Sequence, residues 1–443
     1  MTSAFVIGAP ASGSGKTAIT LALLRLLKRR GVAVSSCKVG PDYIDPAFHA
    51  AASGRPCLNL DGWAMRPDTL HGAFGDASRD SDLVVIEGVM GLFDGAPLGQ
   101  RRSGTASTAD LAAHFGWPII LVVDVEGQGA SAAATIEGFA RYREDVRIAG
   151  VILNKVGGPG HEALLRDAIA SCCPAPPVLG AVFRHRDLAL PERHLGLVQA
   201  SEHAALEAFL ERAADHLART VDIERILGIA ASIEPHRIDS RPPLTPIGQH
   251  IAIASDVAFS FVYPLTIAGW RGAGAEVSFF SPLADEPPPS SADAIFLPGG
   301  YPELHAGQLA ASARFLGGLK EAADRGASIV GECGGYMVLG RGLIDGQGVR
   351  HAMAGLLPVE TSFAEPRLHL GYRRLRLMAA GPLGQAGQQF RGHEFHYAAA
   401  KPAEPDRRLF EAWDAKGAAL APMGSAQGRV VGSFAHLIDR ADS

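Results

Sequence analysis

Short, continuously apolar runs alternate with longer amphipathic stretches through the first half of the chain. The period-2 and fully apolar runs predict strands near 4–8, 33–37, 82–86, 118–124, 147–153 and 177–183, and the 3.6-period stretches predict helices at 16–30, 129–143, 160–171 and 201–218. Pro118 to Val123 and Ile148 to Leu153 carry no polar face, as expected of central strands covered on both sides. Strands alternating with helices in this way predict an α/β fold with a doubly wound parallel sheet. Asp239 to Pro246 then packs three prolines into eight positions, which breaks both helix and strand. A second α/β pattern follows, with strands expected at 250–254, 275–280, 294–297 and 328–331 and a more β-rich end at 368–377, 388–396 and 429–434. The expected division is a domain over 1–238, a linker over 239–247 and a second domain over 248–443. The Pro-rich stretch Glu286 to Ser291 reads as a surface loop inside that domain, because the strand-like ADAIFLP follows at once.

Composition narrows the functional classes. At 443 residues the chain is too long for one ordinary core, and 47% apolar with 20% charged residues excludes a mainly disordered chain. Lys plus Arg number 41 against 46 Asp plus Glu, so 41 − 46 gives −5, which argues against a broad nucleic-acid footprint. Five cysteines, at 37, 57, 172, 173 and 333, include no CxxC pair and fit neither a disulfide framework nor a zinc ribbon; a reducing, cytoplasmic setting is expected. No signal peptide is expected at Met1 to Ile7, and no uncharged apolar run reaches the ~20 residues of a membrane span.

The first candidate site follows the first strand. Gly8-Ala-Pro-Ala-Ser12-Gly13-Ser14-Gly15-Lys16-Thr17 leads into a helix, the order a phosphate-binding loop requires. Backbone N–H groups and the helix N-terminus would cradle ATP phosphates, Lys16 would neutralise them and the Thr17 hydroxyl would bind Mg2+. Pro10 stands where the usual pattern has its first glycine, so a variant loop path is expected. Leu83 to Glu87 ends another strand with a carboxylate suited to a metal or a water, and Gly88 to Gly95 after it, with Asp94, leaves room for a large ligand near the backbone. Lys38-Val-Gly-Pro-Asp42-Tyr43-Ile-Asp45-Pro-Ala-Phe-His49 is expected as a loop at the ligand-facing edge of the sheet. Asn154 ends a further strand at the same edge, where its amide would read adenine or simply form a turn.

The second candidate site is Gly331-Glu332-Cys333-Gly334-Gly335, a strand, a sharp turn of small residues and then a helix. This is the build of a nucleophile elbow with Cys as the nucleophile. His436 offers a base, and Gly299 and Gly300 after the 294–297 strand, with Gly334, offer N–H groups for an oxyanion hole. His393-Glu394-Phe395-His396 lies in an alternating run that puts Glu394 and His396 on one face; a polar wall is expected there rather than a metal centre.

With these residues assembled, the chain resembles the cobyrinic and hydrogenobyrinic acid a,c-diamide synthases of cobalamin biosynthesis. The likeness runs through ASGSGKT at 11–17, KVGPDYIDPAFH at 38–49, EGVMGLFDG at 87–95, ILNKV at 152–156, PERHLGLVQA at 191–200, PGGYPELH at 298–305, GECGGYM at 331–337, GHEFHYA at 392–398 and SFAHLID at 433–439. It implies a dethiobiotin synthetase-like first half and a flavodoxin-like class I glutamine amidotransferase second half. It further implies ATP and Mg2+ at Lys16, Thr17 and Glu87, with Asp45 or Asp42, which spacing does not distinguish, as a further metal ligand, and an anionic corrinoid beside Lys38, Asp42, Tyr43, Asp45, Asp94, Ser107 and Thr108. Glutamine would be the nitrogen donor at Cys333 and His436, in a homodimer. Similarity to the aerobic-pathway form favours the cobalt-free hydrogenobyrinic acid over cobyrinic acid. A partitioning-type ATPase switch, the reading from another class, has no use for the thiol elbow. One position departs: class I amidotransferases place a Glu two residues after the catalytic His, and here Ile438 stands there with Asp439 next. A Cys-His pair without that Glu is the expectation.

Overall fold

The computed structural model describes residues 2–96, 106–171, 176–185, 192–193, 196–197, 199–202, 205–233, 242–402 and 407–441. Cys172, Cys173, half of 191–198 and the start of the expected linker lie outside the described residues. The chain divides into two compact units, Met1–Trp63 with Leu70–Asp239, and Ala64–Thr69 with Ser240–Ser443.

In the first unit, β1 (Thr2–Gly8), β2 (Val34–Val39), β3 (Cys57–Leu60), β4 (Leu83–Glu87), β5 (Ile119–Asp124), β6 (Ile148–Val156) and β7 (Val178–Phe183) form a parallel sheet. Their order is β3-β2-β4-β1-β5-β6-β7, and Ala231–Ile233 adds an antiparallel strand beside β1. Residues Ala4 to Ile7 and Val84 to Glu87 are fully buried, as apolar central strands require. The strand order reverses at β1, so the crevice for a ligand opens at the C-terminal ends of β1, β2 and β4. Helix α1 (Lys16–Arg29) packs on α2 (Asp45–Ser53) and on a later helix, Leu206–Thr220.

The stretch 38–49 is only partly the loop expected. From Asp45 onward it is α2, because Pro46 occupies the first turn, where a missing N–H costs nothing. The edge strand β3 and the helices Pro67–Ser78 and Thr108–Phe115 also went unread, being short or interrupted by glycine.

The second unit has a sheet ordered Glu276–Phe280, His250–Ala254, Ala294–Leu297, Ser328–Glu332, Val430–Ser433 and Ser425–Gln427, parallel except for the last strand. Its five parallel strands follow the flavodoxin-like order. Ile251, Ile253, Trp270 and Phe296 pack with Leu375, Phe390 and Phe410 of an antiparallel sheet of five strands. A second core, with Phe315, Leu319 and Met337, includes Ile295 and Ile329 of the same parallel sheet. Among the described residues no helix is long and apolar enough to cross a membrane.

Candidate active sites

The loop after β1 closes on Gly15, whose φ of 88° is left-handed and whose missing side chain is needed: a Cβ there would lie 2.2 Å from Asn154 Nδ2. That amide donates to the Ser14 carbonyl at 2.9 Å, so Asn154 braces the phosphate loop, with one of its donors spent on protein. Lys155, missed in the sequence reading, reaches the Gly13 carbonyl at 3.3 Å and pairs with Asp124 at 2.6 Å. Lys16 Nζ donates to the Met90 carbonyl at 2.6 Å, and burial together with nearby Lys38 pulls its pKa down to about 8.

Behind Lys16 lies a buried cluster. Thr17 Oγ1 donates to Glu87 Oε1 at 2.7 Å and lies 3.3 Å from Asp45 Oδ2, while Lys38 Nζ bridges the same two oxygens at 2.6 Å from Asp45 and 2.7 Å from Glu87. Burial works against every charge here, yet Asp45 and Glu87 outweigh it and hold Lys38 well above its ordinary pKa. Glu87 is in turn held far below the usual carboxylate range by Lys38 and His49, against its own burial. His49 Nε2 sits 2.6 Å from Glu87 Oε2; despite burial, Cys57 and Glu87 raise the imidazole to about 10. A hydroxyl and two carboxylates converge on one point as an all-oxygen donor set of the kind Mg2+ takes, and a cation held there would replace the Lys38 ammonium that bridges the two carboxylates.

Of the carboxylates at 42 and 45, only Asp45 reaches this point. Asp42 Oδ1 instead accepts the N–H groups of Ile44 and Asp45 at 2.8 and 3.0 Å, and burial beside Asp45 raises it to about 6. Tyr43 is half-buried. Asp94 is exposed and accepts the Gly91 N–H at 2.9 Å. Ser107 and Thr108, expected against substrate, are buried and engaged elsewhere. Ser107 caps the helix Thr108–Phe115 by accepting from Asp110 N, and Thr108 Oγ1 accepts from Val89 N at 3.1 Å, so both shape the loop after β4. A cavity of about 680 Å³ opens over Gly13, Lys16, Lys38, Glu87, Asn154 and His216.

In the second unit, Ser328–Glu332 runs directly into Cys333, which has φ 46° and ψ −103° and precedes the short helix Gly334–Leu339. Positive φ in a residue with a side chain is strained, and the turn throws the thiol off the end of the sheet. The thiol is 2% exposed; burial, then the charge of Glu303, pushes its pKa well up, so the resting group is neutral. His436 lies on the buried strand Ala435–Arg440, opposite His393. Gly299 lies close to both side chains: a Cβ there would stand 2.5 Å from His436 Cε1, 3.2 Å from its Nε2 and 3.3 Å from Cys333 Cβ. The Pro298 and Gly299 carbonyls accept from Gly335 N and Phe261 N at 3.0 and 2.9 Å, which fixes that turn. Gly300 N lies 3.2 Å from where a Cβ on Gly334 would be, so two of the three expected oxyanion donors, Gly300 and Gly334, sit side by side at the elbow.

Asp439 plays no part at His436. It is fully buried, with its oxygens on Arg66: the backbone N–H at 2.8 Å, Nε at 3.1 Å and Nη2 at 2.9 Å. A carboxylate that does approach the imidazole is Glu332, with Oε2 3.6 Å from His436 Nδ1. Neither composition nor spacing marked it. Farther along, His369, Glu394 and His396 offer ligand atoms within 4.8 Å of one another. Arg373 pairs with Glu394 at 2.7 Å, and His396 bonds Glu394 and the Ala398 carbonyl through its two nitrogens at 2.7 and 2.9 Å. The group is therefore a bonded polar wall with a guanidinium in it, a poor setting for a cation.

Known proteins match on both halves. Residues 5–198 fit the family described as CobQ/CobB/MinD/ParA nucleotide binding domain, and residues 250–443 the family described as CobB/CobQ-like glutamine amidotransferase domain. A hydrogenobyrinate a,c-diamide synthase of Rhodobacter capsulatus is 54% identical over 432 residues, 98% of each chain. Another, from a Sinorhizobium species, is 52% identical over 443 residues, 99% of each. Among solved structures, PurLQS from Thermotoga maritima aligns at 18% identity and a TM-score of 0.32 over 43% of this chain and 87% of its own, too distant to bear on the fold. Identity above one half along almost the whole of both chains is decisive: the chain belongs to the family of the hydrogenobyrinate a,c-diamide synthases.

Proposed function

We propose that the chain amidates the a and c acetate carboxylates of hydrogenobyrinic acid, using ATP and the side-chain amide nitrogen of glutamine. The observation that carries this reading is the presence in one chain of two chemically different clusters of reactive side chains. One is the Lys16–Thr17–Asp45–Glu87 cluster at the end of a phosphate loop, and the other is the strained Cys333 elbow with His436.

In the first unit the amides of Ser12 to Gly15 and the Lys16 ammonium bind the ATP phosphates. Thr17, Asp45 and Glu87 would hold Mg2+, which when bound supplies positive charge against the transferring phosphoryl group. A corrinoid carboxylate oxygen attacks the γ-phosphorus, ADP leaves and an acyl phosphate remains. Lys38, Tyr43 and Asp94 are proposed to face the substrate around this centre.

In the second unit His436 takes the Cys333 proton as sulfur attacks the amide carbon of glutamine. The oxyanion is received by N–H groups at Gly299, Gly300 and Gly334. Return of the proton expels ammonia and leaves a thioester, which water cleaves to glutamate and free thiol. Ammonia then displaces phosphate from the acyl phosphate, giving the amide.

The test is the nitrogen source. Cys333→Ser abolishes amidation with glutamine while amidation with ammonium salts survives, because thiol chemistry and carboxylate activation occupy separate sites. Loss of both, or retention of glutamine-dependent turnover, contradicts this division of labour.

A further inference from the structure

We propose that Glu332 is the positioning carboxylate of His436, supplying from the nucleophile strand the charge that class I amidotransferases place two residues after the histidine. The inference rests on the glutaminase reading above and concerns its base.

The position two beyond His436 is Ile438, a buried aliphatic side chain, and Asp439 is taken up by Arg66. The fold offers another route to the same ring. Glu332 is the last residue of the strand Ser328–Glu332 and lies beside Ser433 of Val430–Ser433, after which the chain turns into the strand that carries His436. The carboxylate is thereby aimed at the ring's Nδ1 side. Oε1 accepts the Leu437 N–H at 3.0 Å, which locks the side chain, and Oε2 lies 3.6 Å from His436 Nδ1. Glu332 is 7% exposed and His436 1%, so the pair is little screened by water.

The chemistry requires such a group. For His436 to accept the Cys333 proton at Nε2, the neutral ring must carry its hydrogen on Nδ1, and the imidazolium formed must be stabilised. A carboxylate on the Nδ1 side does both while remaining ionised throughout. At 3.6 Å the contact is electrostatic rather than a hydrogen bond, and it shortens when the ring gains its proton. Burial holds the thiol neutral, so this stabilisation is needed during the attack itself.

Other groups around the ring do not substitute. His393 on the paired strand is pulled down to about 3 by burial and by His436, and is neutral. Glu394 of that strand is paired with Arg373. On the thiol's side, Glu303 and Glu332 itself oppose thiolate formation, so the charge on Glu332 favours catalysis only through the imidazolium.

Glu332→Gln keeps the shape and an oxygen for the Leu437 N–H and removes only the charge. Glutaminase kcat of the full-length variant is expected to fall about 100-fold, with KM for glutamine unchanged. The acid limb of its pH–rate profile is expected to move to lower pH, because the imidazolium is less stabilised; a purely structural side chain would leave that limb in place. A kcat within twofold of the parent, or a fall with an unmoved limb, overturns the assignment while leaving the amidotransferase reading intact. A parent protein that hydrolyses no glutamine at all overturns both.

Discussion

Replacing Gly299 with alanine introduces a methyl group beside both reacting side chains. Its Cβ would stand 2.5 Å from His436 Cε1 and 3.3 Å from Cys333 Cβ. Carbon atoms rest at about 3.5 to 4.0 Å, so at least one partner must retreat by about 1 Å. His436 is 1% exposed on a strand paired with Gln389–His396, and Cys333 is fixed by the elbow, so neither can yield without leaving its alignment. A misplacement of about 1 Å between reacting groups costs on the order of 100-fold in rate, or about 2.7 kcal/mol of barrier. The assay is glutamate release from glutamine by purified Gly299→Ala protein, run beside amidation supported by ammonium salts. The expected result is a roughly 100-fold slower glutaminase with ammonia-supported amidation at the parent rate. Glutaminase within threefold of the parent would refute the placement of both thiol and imidazole against Gly299.

Two further predictions concern stability. Arg66→Met removes the guanidinium and leaves Asp439 buried with the backbone N–H groups of residues 66 and 440 to answer its charge, and denaturant unfolding should show a loss of about 3 kcal/mol; a change below about 1 kcal/mol would mean that these two hydrogen bonds suffice. His393 titrates at about 3 in the fold against an ordinary 6.5, so below pH 6.5 the unfolded chain binds a proton that the folded one refuses. Its contribution to stability is therefore intact above 6.5 and is lost as pH falls towards 3, at up to about 1.4 kcal/mol per pH unit. His393→Gln should flatten the acid side of the stability profile by one proton's slope, and an unchanged slope would contradict a neutral buried imidazole.

Much of the fold was legible because it rests on local pattern. The continuous apolar runs at β1, β4, β5 and β6 announce strands covered on both faces, and Gly15-Lys16-Thr17 and Gly331 to Gly335 announce two strand-to-helix turns by their small residues. The departures arise where tertiary contacts decide. Pro46 marked a loop by its usual effect, yet the first turn of a helix tolerates it, and α2 is what carries Asp45 and His49 to Glu87. Ser107 and Thr108 carried the hydroxyls of a binding loop, but a capping box and the Val89 N–H use them first. Asp42 and Asp45 were indistinguishable by spacing, and only the fold turns one onto backbone amides and the other towards Thr17. Glu332 was hidden for a related reason. Its partner lies 104 residues on, and pairing across parallel strands leaves no local signature.

The central claim is an amide synthesis that runs through an activated carboxylate, and the most direct measurement follows both oxygen and nitrogen. Hydrogenobyrinic acid enriched with oxygen-18 in its carboxylates is incubated with the protein, ATP, Mg2+ and glutamine labelled with nitrogen-15 at the side-chain amide. Corrinoid and inorganic phosphate are then read by mass spectrometry, with cobyrinic acid in a parallel tube. The account predicts two acid-to-amide conversions carrying nitrogen-15, one oxygen-18 delivered to phosphate for each, and turnover of the cobalt-free acid in preference to cobyrinic acid. Amides formed without oxygen-18 in phosphate would contradict the acyl phosphate, and an unaltered hydrogenobyrinic acid would contradict the proposed substrate.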